Sequence, residues 1–458
     1  MADIDILGID ELLVVFNLLN LFDKLTAMRV NRRWYNIIKN THAWKIINFY
    51  DRGPADKKTY RRFVSKQGKI AALELRPCEQ HDSEWRFPHN EDDVFKFLNT
   101  YAGVALLRID LHVISVKIMQ LLHTNCPNLQ TLNLFAHSQD SHLGWVVDLG
   151  ETHLIHFSPN IKHLRLCLPS GYWWLGFNIY WEWTSMNNEQ HNAMYRQKLL
   201  RAEMLLTHVA QCSNLQRLTL EYVDWSDASM QKLLTQTGLQ HLELLNCSFH
   251  DRNSPIIPDG DVTFHGNIGS CDSILTTHVG CFTSLTSFSL GFEATFKSPN
   301  LHDFFCSISR WETLKKLSLK WVNYSEEFKV MIPGLLNLET LELEGDSVTS
   351  SVVTLVGEHL IRLKVLKLRH GTYSHQSLKS LTHHWMLEEL AIMDPYYGVR
   401  CRERLDYDWL SAIYDIVDTL PKIKYVKLEG HNLSHPFTHF KYPVLKGVDI
   451  EVSDVRLQ

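Results

Sequence analysis

Histidine and cysteine are the residues of this chain that could carry nucleophilic or metal chemistry, and neither type is arranged for it. The sequence holds 25 histidines and nine cysteines. The cysteines are scattered from Cys78 to Cys401 without a Cys-x-x-Cys pair, and the adjacent His383-His384 lacks a carboxylate or cysteine partner at ligand spacing. Glycine-rich phosphate loops, a Gly-x-Ser-x-Gly elbow and a His-Glu-x-x-His helix are also absent from the sequence. We therefore expect no enzyme activity, no metal and no cofactor, and we interpret most histidines as polar surface residues.

Aromatic side chains suggest binding chemistry instead. Seven of the thirteen residues from Gly171 to Trp183 are aromatic, and four of them are tryptophans: Trp173, Trp174, Trp181 and Trp183. Tryptophan combines a large apolar surface with one hydrogen-bond donor, which is typical of residues that anchor a protein partner. The segment could also fold back as a local plug. We predict partially exposed anchors, because a plug does not require four tryptophans flanked by glycine.

A second candidate binding segment follows Pro395. It contains Tyr396, Tyr397 and Arg400 beside a glycine, a composition that suits an exposed loop that grips a partner and equally suits a plain connector. A helix is predicted after it, from about 408 to 420, with one apolar face formed by Trp409, Ile413, Ile416 and Leu420.

Length and composition favour a large intracellular protein. The chain has 458 residues, 45% hydrophobic content and a formal net charge of −5, which argues against a surface built to hold nucleic acid. The first residues, Met1 to Asp5, are acidic, and the longest apolar run is interrupted by Asn17 and Asn20, so we expect neither a signal segment nor a membrane span. Unpaired cysteines suit the reducing cytoplasm or nucleus.

The elements that would position any binding residue come from a repeat. From residue 70 onward the pattern apolar-x-x-apolar-x-apolar recurs, and its best-kept stretch steps from Leu314 to Leu338, Leu363 and Leu387. Spacings of 24 and 25 residues belong to leucine-rich repeats. The other matches begin at Ile70, Leu106, Leu129, Ile161, Leu215, Leu239, Leu285, Ile423 and Leu445.

Each repeat predicts a short strand followed by a returning helix. Stacking such units gives an α/β fold, a curved solenoid with a parallel sheet on the concave side and helices on the convex side. Helical segments are predicted at 226–235, 349–360 and 374–383, each opening near a capping residue. Insertions that loop out of the solenoid are predicted near 169–211, 247–284 and 394–420. Cys126 and Cys212 precede two strands and are interpreted as small buried residues.

Charges alternate along the predicted strands. Lys315, Glu339, Lys364, Glu388 and Lys424 occupy equivalent positions in successive repeats. Adjacent strands lie about 4.8 Å apart, so opposite charges can neutralise one another across the sheet. The C-terminal part of the sheet is therefore not expected to offer a uniformly basic groove for phosphate.

The N-terminal segment is predicted to be helical. Leu12, Leu13, Phe16 and Leu19 recur at helical spacing, and Leu25, Met28 and Val30 continue the apolar stripe. A third helical segment is predicted to begin at Ala43-Trp44 with Ile46-Ile47, and Asp10 and Thr41 are the predicted N-caps. About 45 residues bury too little surface to be robust alone, so a partner is expected to cover the exposed apolar face. The alternative is an ordinary helical cap on the repeats.

The same segment resembles an F-box. The matching landmarks are Glu11-Leu12-Leu13, Val15-Phe16, Leu19, Asp23, Val30-Asn31-Arg32-Arg33-Trp34 and Trp44, with Ile9 where the family usually has proline. We therefore divide the chain into an F-box at residues 1–50 and a leucine-rich-repeat region at residues 51–458. The pairs Cys126/Asn128 and Cys212/Asn214 are similar to the cysteine-containing repeats that commonly accompany F-boxes.

An F-box followed by leucine-rich repeats resembles the substrate receptors of SCF ubiquitin ligases. The resemblance implies that the F-box docks on the adaptor Skp1, and through it on cullin 1, while the repeats hold an unidentified protein target. By position, Ile9, Leu12, Leu13, Phe16, Leu19 and Val30 would face the adaptor, supported by Trp34 and Trp44. Two alternatives remain: an interaction scaffold without a role in ubiquitination, and a ligand-gated receptor, which would need a convergent basic floor.

Overall fold

The protein is described by a computed structural model that covers residues 7–19, 21–39, 46–48, 72–75, 91–111, 115–135, 156–167, 203–233, 238–250, 275–279, 282, 284–292, 301–322, 327–393, 407–430 and 448–454. The chain divides into two compact units, Met1–Val223 and Asp224–Gln458, and each is described by itself.

The first unit begins with a module of three helices: α1 (Ile9–Leu18), α2 (Leu21–Ala27) and α3 (Arg32–Lys39). The helical prediction is confirmed for α1 and for Leu25 in α2, whereas Met28 and Val30 lie in the turn that follows α2. Gly8, not Asp10, is the N-cap of α1, so that cap prediction is wrong; Asp10 instead lies in the first turn, where its charge suits the helix dipole. Asn31 caps α3, since its Oδ1 accepts a hydrogen bond of 2.8 Å from the Trp34 backbone N–H.

The predicted helix at Ile46-Ile47 is wrong, because Ile46–Asn48 forms a strand, β1. It pairs in parallel with β2 (Ala72–Leu75), so the sheet starts before residue 50. Two consecutive β-branched isoleucines favour an extended backbone, and the neighbouring strand satisfies their backbone hydrogen bonds. Thr41 and Trp44 lie outside the described residues.

Six parallel strands form the sheet of the first unit, and they pair in chain order. The remaining four are β3 (Arg108–Leu111), β4 (Thr131–Phe135), β5 (His163–Cys167) and β6 (Arg217–Glu221). Helices α4 (Glu91–Tyr101) and α5 (Val116–Asn125) and a helical stretch at 203–209 lie between strands. The template positions are buried as predicted, for example Leu132, Leu134, Leu218 and Leu220.

The second unit repeats this plan with eight parallel strands that pair in register. They are β8 (His241–Leu245), β10 (Ser287–Gly291), β11 (Lys316–Lys320), β12 (Thr340–Glu344), β13 (Val365–Arg369), β14 (Glu389–Met393), β15 (Tyr425–Gly430) and β16 (Asp449–Asp454). Two further strands, β7 (Asp224–Ser226) and β9 (Ser248–His250), form a separate parallel pair that was not predicted.

Helices of the second unit alternate with these strands, and from His302–Ile308 onward each helix contacts the next one along the chain. They are α6 (Asp227–Leu233), α7 (His302–Ile308), α8 (Glu327–Met331), α9 (Ser350–His359), α10 (His375–Leu378) and α11 (Tyr407–Thr419), with 3-10 turns at Ile332–Gly334 and Lys379–His383. The α/β fold class and the four predicted helical segments are thus confirmed. Ser226 caps α6 through a 3.3 Å bond from the Ser229 N–H, whereas Thr349 and Ser374 make no side-chain cap.

Asparagines link successive turns at the end of the sheet where each strand begins. Asn128 Nδ2 donates to the Val104 carbonyl at 3.0 Å, and Asn160 Nδ2 donates to the Pro127 carbonyl at 2.8 Å. Asn337 Nδ2 repeats the contact in the second unit, at 2.8 Å from the Glu312 carbonyl. Each asparagine satisfies a carbonyl of the preceding turn that the sheet leaves unpaired.

The opposite end of five strands is closed by a residue with positive φ. These residues are Tyr222, Asn246, Trp321, Gly345 and His370, with φ of 57°, 52°, 54°, 117° and 53°. The left-handed turn lets the N–H of Trp321 and of His370 reach the carbonyl of the next strand, at 2.7 and 3.0 Å. The rings of Trp321 and His370 stack across the intervening repeat, with their centroids 5.5 Å apart. Glycine is required at 345, because a Cβ there would lie 3.1 Å from Trp321 Cα.

The two cysteines assigned to the core are buried as predicted. Cys126 and Cys212 are fully inaccessible to solvent. Burial raises the pKa of the Cys126 thiol to about 11 and that of Cys212 to about 12. Both therefore remain protonated at neutral pH and pack as small apolar side chains.

Candidate protein-interaction surfaces

The N-terminal module has a small aromatic and aliphatic core. Leu12 and Phe16 on α1 and Ile37 and Ile38 on α3 are buried, and the two helices contact each other. Phe16 meets Trp34 in an edge-to-face contact with ring centroids 5.3 Å apart. Such an aromatic pair stabilises the fold by about 0.5–1.5 kcal/mol in addition to the effect of burying its apolar surface. The contact between Phe16 and Trp34 therefore joins the two helices.

Apolar side chains also remain on the surface of this module. Ile9 is 59% exposed, Val14 61% and Val30 59%, and Tyr35 is 39% exposed. Exposed apolar surface marks interaction sites in many proteins, so these four residues are candidates for a partner surface.

The residues predicted to face an adaptor therefore separate into groups. Leu12 and Phe16 lie in the core rather than on the surface, because they occupy the face of α1 that packs on α3. Leu13, Leu19 and Trp34 are half-buried, and Ile9 and Val30 are exposed. Their contact with an adaptor stays a prediction. Val14 and Tyr35 were missed, although each lies next to a landmark of the motif.

A lysine is buried in the same module. Lys24 on α2 is 3% exposed, and desolvation lowers the pKa of its ammonium group from 10.5 to about 8. The charged form is therefore held in an unfavourable environment at neutral pH. Sequence reasoning did not identify this residue, because a lysine between Asp23 and Leu25 reads as a solvated position.

Comparison with known families identifies the module. A family model described as the F-box domain matches residues 4–46. The chain carries an F-box domain. The matched segment includes α1 to α3 and ends at the first residue of β1.

The solved structures that match the chain include two of low sequence identity. An internalin from Listeria monocytogenes shares 11% identity over 87% of this chain and 89% of its own, with a TM-score of 0.38. The structure titled as the TLR13–ssRNA13 complex shares 15% identity over 80% of this chain and 41% of that chain, with a TM-score of 0.35. No curated protein matches the chain.

In the repeats of the second unit, the alternating charges form the predicted ladder. Glu339 lies between two lysines, with Lys364 Nζ 2.6 Å and Lys315 Nζ 3.7 Å from its carboxylate oxygens. Glu388 accepts a bond of 2.5 Å from Lys424. The hydrogen bond and the charge of Lys364 lower the pKa of Glu339, and those of Lys424 lower the pKa of Glu388.

Charges closer to the middle of the strands pair as well. Lys367 Nζ lies 3.1 Å from Glu389, and Lys320 Nζ lies 3.5 Å from Glu342. Lys427 is shared between Glu429 and Glu451. The described strand face of the second unit therefore offers no convergent cluster of cations, which disfavours a polyanion ligand.

In the first unit the strand face combines charge and aromatic surface. The Arg165 guanidinium lies 5.0 Å from the Phe135 ring centroid and 3.1 Å from a Glu221 oxygen. Asp110, almost fully buried, accepts bonds from Arg108 and from Asn133. These contacts span strands β3 to β6 and rigidify a mixed surface suited to protein recognition.

The candidate target-binding residues lie outside the described residues. This holds for Trp173, Trp174, Trp181 and Trp183 and equally for Tyr396, Tyr397 and Arg400. Their role stays a prediction. Within the described ranges, no group of three or more metal-ligating side chains is present, and no helix is long and apolar enough to cross a bilayer.

Proposed function

We propose that this chain is the substrate-recognition subunit of an SCF E3 ubiquitin ligase. In this role the F-box binds Skp1, and through it cullin 1, in the cytoplasm or nucleus, while the leucine-rich repeats recruit a protein target. The observation that carries the proposal is the F-box at residues 4–46, which leaves Ile9, Val14, Val30 and Tyr35 uncovered.

The proposed contribution of the chain is proximity rather than bond chemistry. A target held on the repeats would present its lysines to a ubiquitin-loaded conjugating enzyme at high effective concentration, so an otherwise slow encounter becomes intramolecular. Periodic strands with paired charges supply a stiff support for this purpose.

The exposed apolar residues give a direct test of the adaptor contact. The double substitution Ile9→Glu and Val30→Glu introduces two charges into the proposed interface without removing core atoms. We expect the Kd for purified Skp1 to rise by at least roughly tenfold, measured by titration calorimetry, because a desolvated unpaired charge in an interface costs several kcal/mol.

Val104→Glu serves as the matched control, since Val104 is 63% exposed but lies in a turn of the repeats. It should bind Skp1 like the wild type, and circular dichroism should show all three proteins folded. Unchanged Skp1 affinity of the Ile9/Val30 variant would reject this surface. Absence of Skp1 binding by the wild type would favour an interaction scaffold without a role in ubiquitination.

A further inference from the structure

The turns that lead into the strands of the second unit carry an unusual row of residues. Leu336, Ile361 and Trp385 each stand four residues before Thr340, Val365 and Glu389, which pair in register across β12, β13 and β14. The three are therefore equivalent positions of consecutive repeats, and we call them the rim stripe. Adjacent strands are about 4.8 Å apart, so the stripe is continuous over roughly 10 Å.

The rim stripe is exposed to solvent. Leu336 is 61% exposed, Ile361 64% and Trp385 71%, and they are among the large hydrophobic residues most accessible in the described chain. Equivalent turns elsewhere carry residues that suit water or a tight turn, namely Pro127, Pro159, Ser213, Glu312 and Pro421. Val104 is an apolar residue at the equivalent turn position before β3. The equivalent residue before β4 is Pro127, so Val104 does not belong to a row of exposed hydrophobic residues. Among the turns that the structure describes, three consecutive exposed hydrophobic residues occur in these repeats alone.

Two cations border the stripe, and each forms its side-chain hydrogen bond to a neutral group. Arg362 donates to the Asn337 side-chain oxygen at 2.7 Å, and Lys422 Nζ lies 3.0 Å from the Met386 sulfur. No carboxylate of the described residues lies within ion-pair distance of either cation. The neighbouring Lys364 and Lys424 differ, because Glu339 and Glu388 neutralise them.

From this charge pattern we infer that the rim stripe is a docking site for a protein segment whose apolar side chains are bordered by carboxylates. Apolar residues of that segment cover Leu336, Ile361 and Trp385, and its carboxylates pair with Arg362 and Lys422. An apolar centre with a polar, charged border is the usual anatomy of a protein interface, and tryptophan is enriched among hot-spot residues. The inference rests on the proposed function in one respect: the segment is assigned to the protein target that the repeats recruit.

The test is selection from a random-peptide phage library on the full chain bound to Skp1. Enriched peptides should carry at least one large apolar residue and at least one Asp or Glu. Their affinity, measured by fluorescence polarisation, should fall by roughly tenfold on Trp385→Ala and on the double substitution Arg362→Glu and Lys422→Glu. A second selection on the charge-reversed variant should enrich basic peptides instead.

Val104→Ala is the matched control, because it removes an equally exposed apolar side chain from the same turn position outside the row. It should leave peptide affinity unchanged. The inference is wrong if no peptide is enriched, if the enriched peptides bind Trp385→Ala like the wild type, or if acidic residues are not selected. It is also wrong if light scattering shows that Trp385→Ala dissociates a dimer, since the occupant is then a second copy. Skp1 affinity, measured in parallel, reports separately on the proposed function.

Discussion

The F-box and the repeats of residues 314–428 distribute charge and apolar surface in opposite ways. In the F-box, Lys24 is buried, whereas Ile9, Val14 and Val30 each expose more than half of their surface. In the repeats the template leucines are inaccessible, and the lysines of the strand face pair with glutamates. The comparison shows that neighbouring repeats cover the apolar side chains of each repeat, whereas the F-box leaves several of its own exposed.

Size explains this difference. The three helices of the F-box have 10, 7 and 8 residues, and so small a unit cannot enclose all of its apolar side chains. A single repeat is not longer than the F-box, but the strands and helices of the neighbouring repeats cover it on both sides. The stabilities of successive repeats therefore add along the chain. The rim stripe is the place where the repeats depart from this rule and resemble the F-box.

The largest effect is expected from the aromatic contact of the F-box. Phe16→Ala removes a buried ring from a small core and should cost about 3–5 kcal/mol. That loss is comparable to the whole stability of a small domain, so the F-box should unfold while the repeats persist. Hydrogen exchange should show lost protection in α1 and α3 and unchanged protection in β11 to β14.

Val14→Ala is the control for this prediction, because Val14 lies on the same helix but in solvent. It should leave protection of α1 near the wild-type level. Wild-type protection of α1 in Phe16→Ala would show that the F-box does not depend on its own core.

An intermediate effect is expected from the buried lysine. Burial lowers the pKa of Lys24 to about 8, so between pH 8 and 10.5 the unfolded chain binds more protons than the folded one. Stability of the F-box therefore rises as pH increases through this window, by roughly 1–3 kcal/mol. Lys24→Met should abolish this rise and stabilise the F-box at pH 7, measured as the difference in thermal midpoint between variant and wild type at each pH.

Lys329→Met, at an exposed position of α8, controls for the loss of one positive charge. It should keep the wild-type pH dependence. A Lys24→Met protein that is less stable than the wild type at pH 7 would show that the ammonium group is compensated in the folded state.

The smallest effect is expected in the charge ladder. Glu339→Gln removes the carboxylate that Lys364 and Lys315 share, but all three side chains are partly exposed, and water and salt screen such pairs. The pKa of Glu339 is lowered in the folded state, so its contribution is present above the ordinary pKa and disappears as pH falls through the lowered value. Urea midpoints of variant and wild type should differ slightly at pH 7 and converge in acid or high salt. A loss of stability on Glu339→Gln as large as that on Phe16→Ala would contradict the contrast between the repeats and the F-box.

The repeats could be predicted in detail because one physical constraint recurs in each of them. A leucine such as Leu341 or Leu366 must point into the core for its strand to pair, so the spacing of leucines identifies strands, and the residues between them identify the exposed face. The ion pairs of Glu339 and Glu388 followed from the same period. The prediction failed outside the repeating leucine pattern, as at Ile46–Asn48. These residues form a strand because they pair with residues 26 positions away in the sequence.

Residue types and their order alone therefore determined the F-box motif, the leucine period, the parallel α/β architecture and the alternation of strand charges. Only the tertiary structure decided which side of α1 is covered, and so placed Phe16 inside and Ile9 outside. It also decided that Lys24 is desolvated and that Leu336, Ile361 and Trp385 are exposed in adjacent turns. The physical reason is that periodicity specifies a face, whereas burial depends on what packs against that face, which residues distant in sequence provide.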